Sequence, residues 1–153
     1  MYPEPLLTPM RQELTRLGVT ELRTPDQVDA AVAEPGTTLV VVNSVCGCAA
    51  RNARPAVAMA LANATLPDRA TTVFAGQDTA ATQRAREHFV GYAPSSPAIA
   101  LLKDGELVFM LERWQIEGRS AQQIARDLTN AFATYCGTGA RTGADTSTEP
   151  TAA

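Results

Sequence analysis

The apolar positions of the chain form short runs that are separated by helical stripes. Thr37–Asn43 (TTLVVVN) is β-branched, nearly continuously apolar and of strand length. Such a run is typical of a strand buried on both faces inside an α/β sheet. A short extended piece at Glu21–Arg23 and the run Ala70–Ala75 predict two further strands. Ala98–Leu102 and Leu107–Leu111 flank an Asp-Gly turn, which predicts a β-hairpin.

Helical periodicity lies between these runs. Apolar residues three or four positions apart predict a helix over about residues 5–17, with Gly18 at its C-terminal end. Thr24, followed by Pro25 and by Gln27 three positions on, forms a capping-box pattern and predicts a helix to about residue 33. The alanine-rich segment 49–63 is helical in character, and Pro55 must kink or restart it.

Two more helices complete the chain. Asp78 is placed to cap a helix that ends near Val90. Ser120, with Gln123 as its capping-box partner, predicts the start of the last helix. Its apolar stripe is Ile124, Leu128, Phe132 and Tyr135.

This order of elements predicts an α/β fold with a five-stranded mixed sheet between two layers of helices. Right-handed crossovers make the early strands parallel, and the hairpin adds an antiparallel end. The predicted spatial order is first, third, second, fourth, fifth, with the last pair antiparallel to the central strand. The layout resembles the thioredoxin-like three-layer α/β/α sandwich with an extra N-terminal helix. We expect one domain over residues 1–136, and a disordered tail over 137–153, which has no large apolar residue.

Composition excludes several classes of function. The chain has 153 residues, of which 45% are hydrophobic, with 13 basic against 16 acidic residues, a net charge of −3. No basic cluster is available to neutralise nucleic-acid phosphates, and no apolar run is long enough for a membrane helix, so neither partner is expected. The N-terminus carries charges and prolines where a secretory signal would be apolar, which favours a cytoplasmic protein. The odd count of three cysteines argues against a secreted disulfide framework.

The pair Cys46 and Cys48, separated by Gly47, carries the most chemical information. It lies between a buried strand and the helix that follows. The free amides and the dipole at a helix N-terminus favour a thiolate, which is the nucleophile of disulfide exchange. Glycine allows the bend that would bring two cysteines within disulfide range, and the tight ring would be labile.

Three interpretations of the pair compete. The cysteines could be small buried residues at a strand end. They could be metal ligands together with Cys136 and His88, although no second ligand pair exists at the spacing of structural zinc sites. Redox chemistry is favoured over both, and no metal site is predicted. A thiol-based metal carrier or redox sensor stays as the non-enzymatic alternative.

The residues resemble the bacilliredoxins, a bacterial thioredoxin-like family with a Cys-Gly-Cys centre. The resemblance covers about residues 5–136. Its motifs are TTLVVVNSVCGCAA at 37–50, VFAGQD at 73–78, PSSP at 94–97, IEG at 116–118 and the last helix to residue 136.

The resemblance implies a reaction and roles for particular residues. It implies a thiol–disulfide oxidoreductase that removes bacillithiol, a low-molecular-weight thiol, from S-thiolated client proteins. Cys46 would attack and Cys48 would be its partner. Pro97 would be cis, and Ser96 before it would present its backbone to substrate. No bound cofactor is implied, only bacillithiol as co-substrate, and a general disulfide reductase or isomerase is the alternative activity.

The remaining reactive side chains have plainer interpretations. Cys136 is expected to be a partly exposed bystander, and His88 a surface or boundary residue. Trp114 either lines a client-binding surface or fills a hydrophobic edge of the sheet. Asp78 is expected to act only as a helix cap.

Overall fold

The computed structural model describes residues 1–137, and a five-stranded mixed sheet lies at its centre. The strands are β1 (Thr20–Glu21), β2 (Thr37–Asn43), β3 (Arg69–Phe74), β4 (Ala98–Lys103) and β5 (Glu106–Leu111). The helices are α1 (Glu4–Thr15), α2 (Pro25–Ala33), α3 (Arg54–Ala60), α4 (Thr79–Glu87), α5 (Arg113–Ile116) and α6 (Ala121–Tyr135). Ala49–Ala53 forms a π-helical turn ahead of α3. Of the predicted tail, residues 138–153 lie outside the described part of the chain.

The spatial order of the strands is β1-β3-β2-β4-β5, as predicted. β3 pairs with β1 and β2 in parallel, and β4 runs antiparallel to β2. β5 is antiparallel to β4, and it therefore runs in the same direction as β2. The expectation that both hairpin strands oppose the central strand was right for β4 and wrong for β5, because the second strand of a hairpin reverses the first.

The central strand β2 contributes residues to both apolar cores, one on each face of the sheet. All seven of its residues are buried. Because side chains alternate across a strand, Leu39 and Val41 pack against α3 and α6, and Val40 and Val42 pack against α2 and α4. The predicted three layers of helix, sheet and helix follow from this alternation.

Local sequence signals set several helix boundaries. The Thr24 hydroxyl accepts a hydrogen bond from the Gln27 amide at the start of α2. Ser120 and Gln123 form the predicted reciprocal capping box at the start of α6. Pro55 cannot donate a backbone hydrogen bond, and the predicted restart occurs there: the Arg54 amide bonds the Ala49 carbonyl, which widens the turn.

Asp78 does not act as a side-chain cap, contrary to expectation. Its carboxylate instead accepts a hydrogen bond of 2.8 Å from Arg11 on α1. Arg11 is 4% exposed, also contacts Glu4 and Glu21, and lies over the ring of Phe74. Because the Asp78 carboxylate binds Arg11, it does not cap the first amides of α4.

Cys136 is also placed differently from the expectation of partial exposure. It is 1% exposed and belongs to the core beneath α3 and α6. Its position four residues after Phe132 continues the apolar stripe of α6, which explains its burial.

Candidate active site

Both cysteines of the Cys-Gly-Cys motif lie at the carboxyl end of β2, where the chain turns into a helix. The helical backbone begins at Gly47. The amides of Ala49 and Ala50 donate to the Cys46 carbonyl at 3.1 and 3.2 Å. Cys46 and Cys48 are both half-buried, and neither forms a disulfide. The motif is therefore placed at a helix N-terminus, as predicted.

The Cys46 sulfur has hydrogen-bond donors around it. The Ser44 hydroxyl lies 3.2 Å from Cys46 Sγ and donates to it. Burial is the largest influence and opposes ionisation of this thiol. The Ser44 hydroxyl, the backbone amides of Ala49 and Cys48, and the charge of Arg113 outweigh burial, so the pKa of Cys46 is lowered. A lowered pKa supplies more thiolate at neutral pH.

A buried arginine fixes the segment that carries the Ser44 hydroxyl. Arg54 is 3% exposed, and its Nη1 donates to the side-chain oxygen of Asn43 and to the Ser44 carbonyl, both at 2.9 Å. The Asn43 oxygen also accepts the Ser44 amide at 2.9 Å. Glu13 on α1 balances the arginine charge at 2.8 Å. These contacts hold the loop ahead of Cys46 in one conformation.

Cys48 has a different environment. Its thiol donates to Glu117 Oε2 at 3.6 Å, and Arg113 Nη2 lies 3.7 Å from its sulfur. Burial, the negative charge of a Cys46 thiolate and the Glu117 carboxylate raise the pKa of Cys48, and Arg113 opposes them more weakly. The two cysteines are thus shifted in opposite directions, and Cys46 ionises first.

Ser96 and Pro97 are joined by a cis peptide bond, as the resemblance implies. The Ser96 carbonyl accepts a hydrogen bond from Arg113 Nη1 at 3.3 Å. The Ser95 hydroxyl accepts the Arg113 amide at 3.3 Å. Because Arg113 also reaches Cys48, it joins the Ser95-Ser96-Pro97 segment to the cysteines.

Gly47 is closely covered by a cation. A Cβ atom at this position would lie 2.7 Å from Nη2 of Arg51, an exposed and flexible side chain. A larger residue here would displace the guanidinium. The role of Gly47 in closing a disulfide ring stays a prediction.

The other reactive residues do not join the cysteines. Cys136 is in the core, and His88 is half-buried with its Nε2 at 3.2 Å from Asp29 Oδ1, which agrees with a boundary histidine. Within residues 1–137, no group of three or more His, Cys, Asp or Glu side chains is arranged to hold a metal ion. Trp114 is 71% exposed beside Arg113, so it does not fill an edge of the sheet.

Sequence reasoning missed the supporting residues Arg54, Arg113 and Glu117. Arg54 had a signal, since an arginine inside an alanine-rich helical segment must find a buried partner or reach solvent. Glu117 lies in the IEG motif at 116–118, which carried the resemblance without a stated role. Arg113 had no local signal, because its contacts lie 65 residues away at Cys48 and 17 away at Ser96.

Comparison with known proteins places this chain in a family. A family model described as "Disulphide isomerase" matches residues 2–136. A bacilliredoxin of Salinibacter ruber is 61% identical over 139 residues, which cover 89% of this chain and 82% of the relative. The chain belongs to the bacilliredoxin family. A bacilliredoxin of Koribacter versatilis is 58% identical (90% and 95% covered), and one of Staphylococcus saprophyticus is 50% identical (89% and 94% covered).

Solved structures confirm the thioredoxin-like fold. A thioredoxin of Malassezia sympodialis superposes with a TM-score of 0.55 at 15% identity, covering 77% of this chain and 90% of that one. The oxidised thioredoxin of Plasmodium falciparum gives 0.51 at 15% identity, covering 77% and 98%. Bacilliredoxin membership and this fold support a thiol–disulfide oxidoreductase. No helix within residues 1–137 has the length and apolar character needed to span a membrane.

Proposed function

We propose that this bacilliredoxin-family chain removes bacillithiol from S-thiolated client proteins, with Cys46 as the attacking group and Cys48 as its partner. The observation that carries the assignment is the difference between the two sulfurs. Cys46 Sγ accepts a hydrogen bond from Ser44 at 3.2 Å, whereas the Cys48 thiol donates to Glu117 at 3.6 Å. Ionisation is favoured at Cys46, whose pKa is lowered, and opposed at Cys48, whose pKa is raised, which is the division that attack and resolution require.

The reaction consists of two exchanges. The Cys46 thiolate attacks the bacillithiol sulfur of the mixed disulfide, the client thiolate leaves, and a bond between Cys46 and bacillithiol forms. A second bacillithiol thiolate then attacks that bond, which restores Cys46 and yields bacillithiol disulfide. In the other route the Cys48 thiol gives up its proton and attacks Cys46, which forms the Cys46–Cys48 disulfide and releases bacillithiol. Bacillithiol is a co-substrate in this scheme, and no bound cofactor takes part.

The segment around the cis proline supplies the surface for the client or the thiol. Gly47, Ser96 and Pro97 are the proposed substrate-binding residues. The backbone of Ser96 is held by Arg113, whose Nη2 is 3.7 Å from Cys48 Sγ. A disulfide presented to Cys46 would therefore meet a fixed backbone edge. Reaction with cellular S-thiolated proteins agrees with the cytoplasmic location that the sequence predicts.

The test is a de-thiolation assay with matched variants. A model protein carrying a bacillithiol mixed disulfide is incubated with wild type, Cys46→Ala and Cys48→Ala, and the released client thiol is measured by mass spectrometry. Wild type and Cys48→Ala should release the client, Cys46→Ala should not, and a glutathione adduct should react more slowly. Full activity of Cys46→Ala would show that the mechanism is wrong.

Disulfide isomerisation is the second candidate, because the matching family model is described by that activity. The same Cys46 thiolate would attack a protein disulfide in place of a mixed disulfide. Refolding of scrambled ribonuclease, run beside the de-thiolation assay at equal enzyme concentration, separates the two. Faster refolding than de-thiolation would favour the isomerase, and stoichiometric zinc or copper in anaerobically purified protein would favour a metal carrier.

A further inference from the structure

A cleft of about 570 Å³ opens between one face of α4 and residues 92–94. The side chains that matter here are Thr79, Thr82, Gln83 and Arg86 on the helix and Tyr92 on the loop. This volume falls in the range of pockets that hold small molecules. The wall combines hydroxyl, amide and guanidinium groups with an aromatic ring, which suits a small polar ligand.

Arg86 is the unusual member of this wall. It is half-buried, and its Nη2 donates to the Ser95 carbonyl at 3.3 Å. Its Nε is buried with no hydrogen-bond partner, and none of the described residues provides a carboxylate within ion-pair distance. Burial lowers the pKa of Arg86. Glu87 also borders the cleft, but it pairs with Arg84 at 2.6 Å.

The arginines that are fully buried within residues 1–137 are compensated. Arg11 contacts three carboxylates, and Arg54 is paired with Glu13. A partly buried charge without a counter-ion is unfavourable, because the lost hydration is not replaced. An anion in the cleft would supply the missing counter-charge to Arg86.

The cleft and the cysteines share one edge of the sheet. β2 and β3 are parallel neighbours, Asn43 is paired with Phe74, and the Ala75 amide donates to the Asn43 carbonyl at 2.9 Å. The chain therefore leaves β3 at Gly76, on the wall of the cleft, beside the strand end that leads to Cys46.

The Ser95-Ser96 segment links the two regions more directly. Arg86 donates to the Ser95 carbonyl, and Arg113 donates to the Ser95 hydroxyl and to the Ser96 carbonyl. Arg113 also reaches Cys48 Sγ at 3.7 Å. A single stretch of backbone is thus hydrogen-bonded both to the cleft arginine and to the arginine beside Cys48.

We propose that this cleft binds a carboxylate of the small thiol that the cysteines exchange, with Arg86 as its charged partner. The proposal rests on the function proposed above and names the ligand class: a carboxylate-bearing low-molecular-weight thiol such as bacillithiol. Thr79 and Gln83 supply further hydrogen-bond donors, and Tyr92 supplies apolar contact. Arg86 is thereby a residue that selects the thiol.

The first experiment measures selectivity. De-thiolation rates are compared for a model protein carrying bacillithiol and for the same protein carrying 2-mercaptoethanol, which has no carboxylate. The ratio of the two rates should fall about tenfold in Arg86→Gln, the loss expected for one charge-assisted hydrogen bond. Arg126→Gln removes the same charge from the exposed surface of α6, on the other face of the sheet from α4, and should keep the wild-type ratio. Equal ratios in the two variants would overturn the proposal.

The second experiment does not depend on turnover. S-methyl bacillithiol cannot exchange disulfides, and it is titrated into ¹⁵N-labelled protein while amide chemical shifts are followed. Shifts at Thr79, Gln83 and Arg86 in wild type and in Arg126→Gln, lost in Arg86→Gln, would support the cleft even if de-thiolation by wild type failed. Saturable binding that shifts only amides outside α4 and residues 92–94, or no binding, would overturn it.

Discussion

Replacing Ser44 by alanine should make Cys46 a weaker acid. The change removes the hydroxyl that donates to Cys46 Sγ at 3.2 Å and that also accepts the Cys46 amide at 3.4 Å. A hydrogen bond to a charged group is worth about 1.5–3 kcal/mol, and the half-buried sulfur places this one at the lower end of that range. One pKa unit corresponds to about 1.4 kcal/mol, so the pKa of Cys46 should rise by about one unit.

This shift predicts opposite effects at low and high pH. Thiolate reactivity increases with basicity by a factor of about three for each pKa unit. At a pH above the pKa of Cys46 in both proteins, the variant should therefore react about three times faster than the parent. Well below both pKa values its thiolate fraction is about tenfold smaller, so the net rate should fall about threefold. The two rate profiles must cross.

The assay follows reaction with dithiodipyridine by the absorbance of the released thione, from pH 5 to pH 10 in the absence of client. A Cys48→Ala background leaves Cys46 as the accessible thiol, since Cys136 is in the core. Ser44→Thr, which keeps the hydroxyl, is the matched control and should follow the parent. Circular dichroism and thermal melts verify that each variant is folded. Superimposable profiles for Ser44→Ala and the parent would refute the role of this hydroxyl.

Three further predictions concern residues outside the Ser44 contact. Glu117→Gln, in a Cys46→Ala background, should lower the pKa of Cys48, because a neutral amide no longer opposes the thiolate; an unchanged pH profile with dithiodipyridine would contradict this. Arg11→Met should destabilise the fold by about 3 kcal/mol in urea unfolding, since it removes the buried cation that pairs with Glu4, Glu21 and the half-buried Asp78. A loss below about 1 kcal/mol would contradict that estimate. Cys136 should resist iodoacetamide in the native protein and react in guanidinium, and labelling of the native protein would place it outside the core.

The fold was predictable where local patterns decide it. The apolar run of Thr37–Asn43 marked the central strand to the residue, and the Ser120 capping box marked the start of α6. Chain order and right-handed crossovers then limited the sheet to the order observed. The burial of Cys136 could also have been foreseen, because its spacing from Phe132 continues the stripe.

The supporting residues of the site could not be predicted in the same way. Arg54 meets Asn43 across a loop and a helical turn, 11 residues away, and Arg113 meets Cys48 from 65 residues along the chain. Asp78 is an example of a local prediction that failed. Its position before α4 favours a helix cap, yet its carboxylate binds Arg11, which lies 67 residues earlier in the chain. Polar side chains bind the partners that the fold brings close to them, and a single sequence does not show which residues those are.

Different parts of the chain surround the two cysteines, so mutations in each part should affect different steps of the reaction. Contacts to Cys46 Sγ come mainly from its own loop, through Ser44 and the first helical amides, whereas Cys48 is governed by Glu117 and Arg113 from the segment after β5. Changes in the loop should therefore act on the first attack, and changes at Glu117 should act on resolution. Arg113 is the exception, because its charge favours both thiolates. Its loss should slow both steps at neutral pH, and this joint effect would distinguish it from either group of residues.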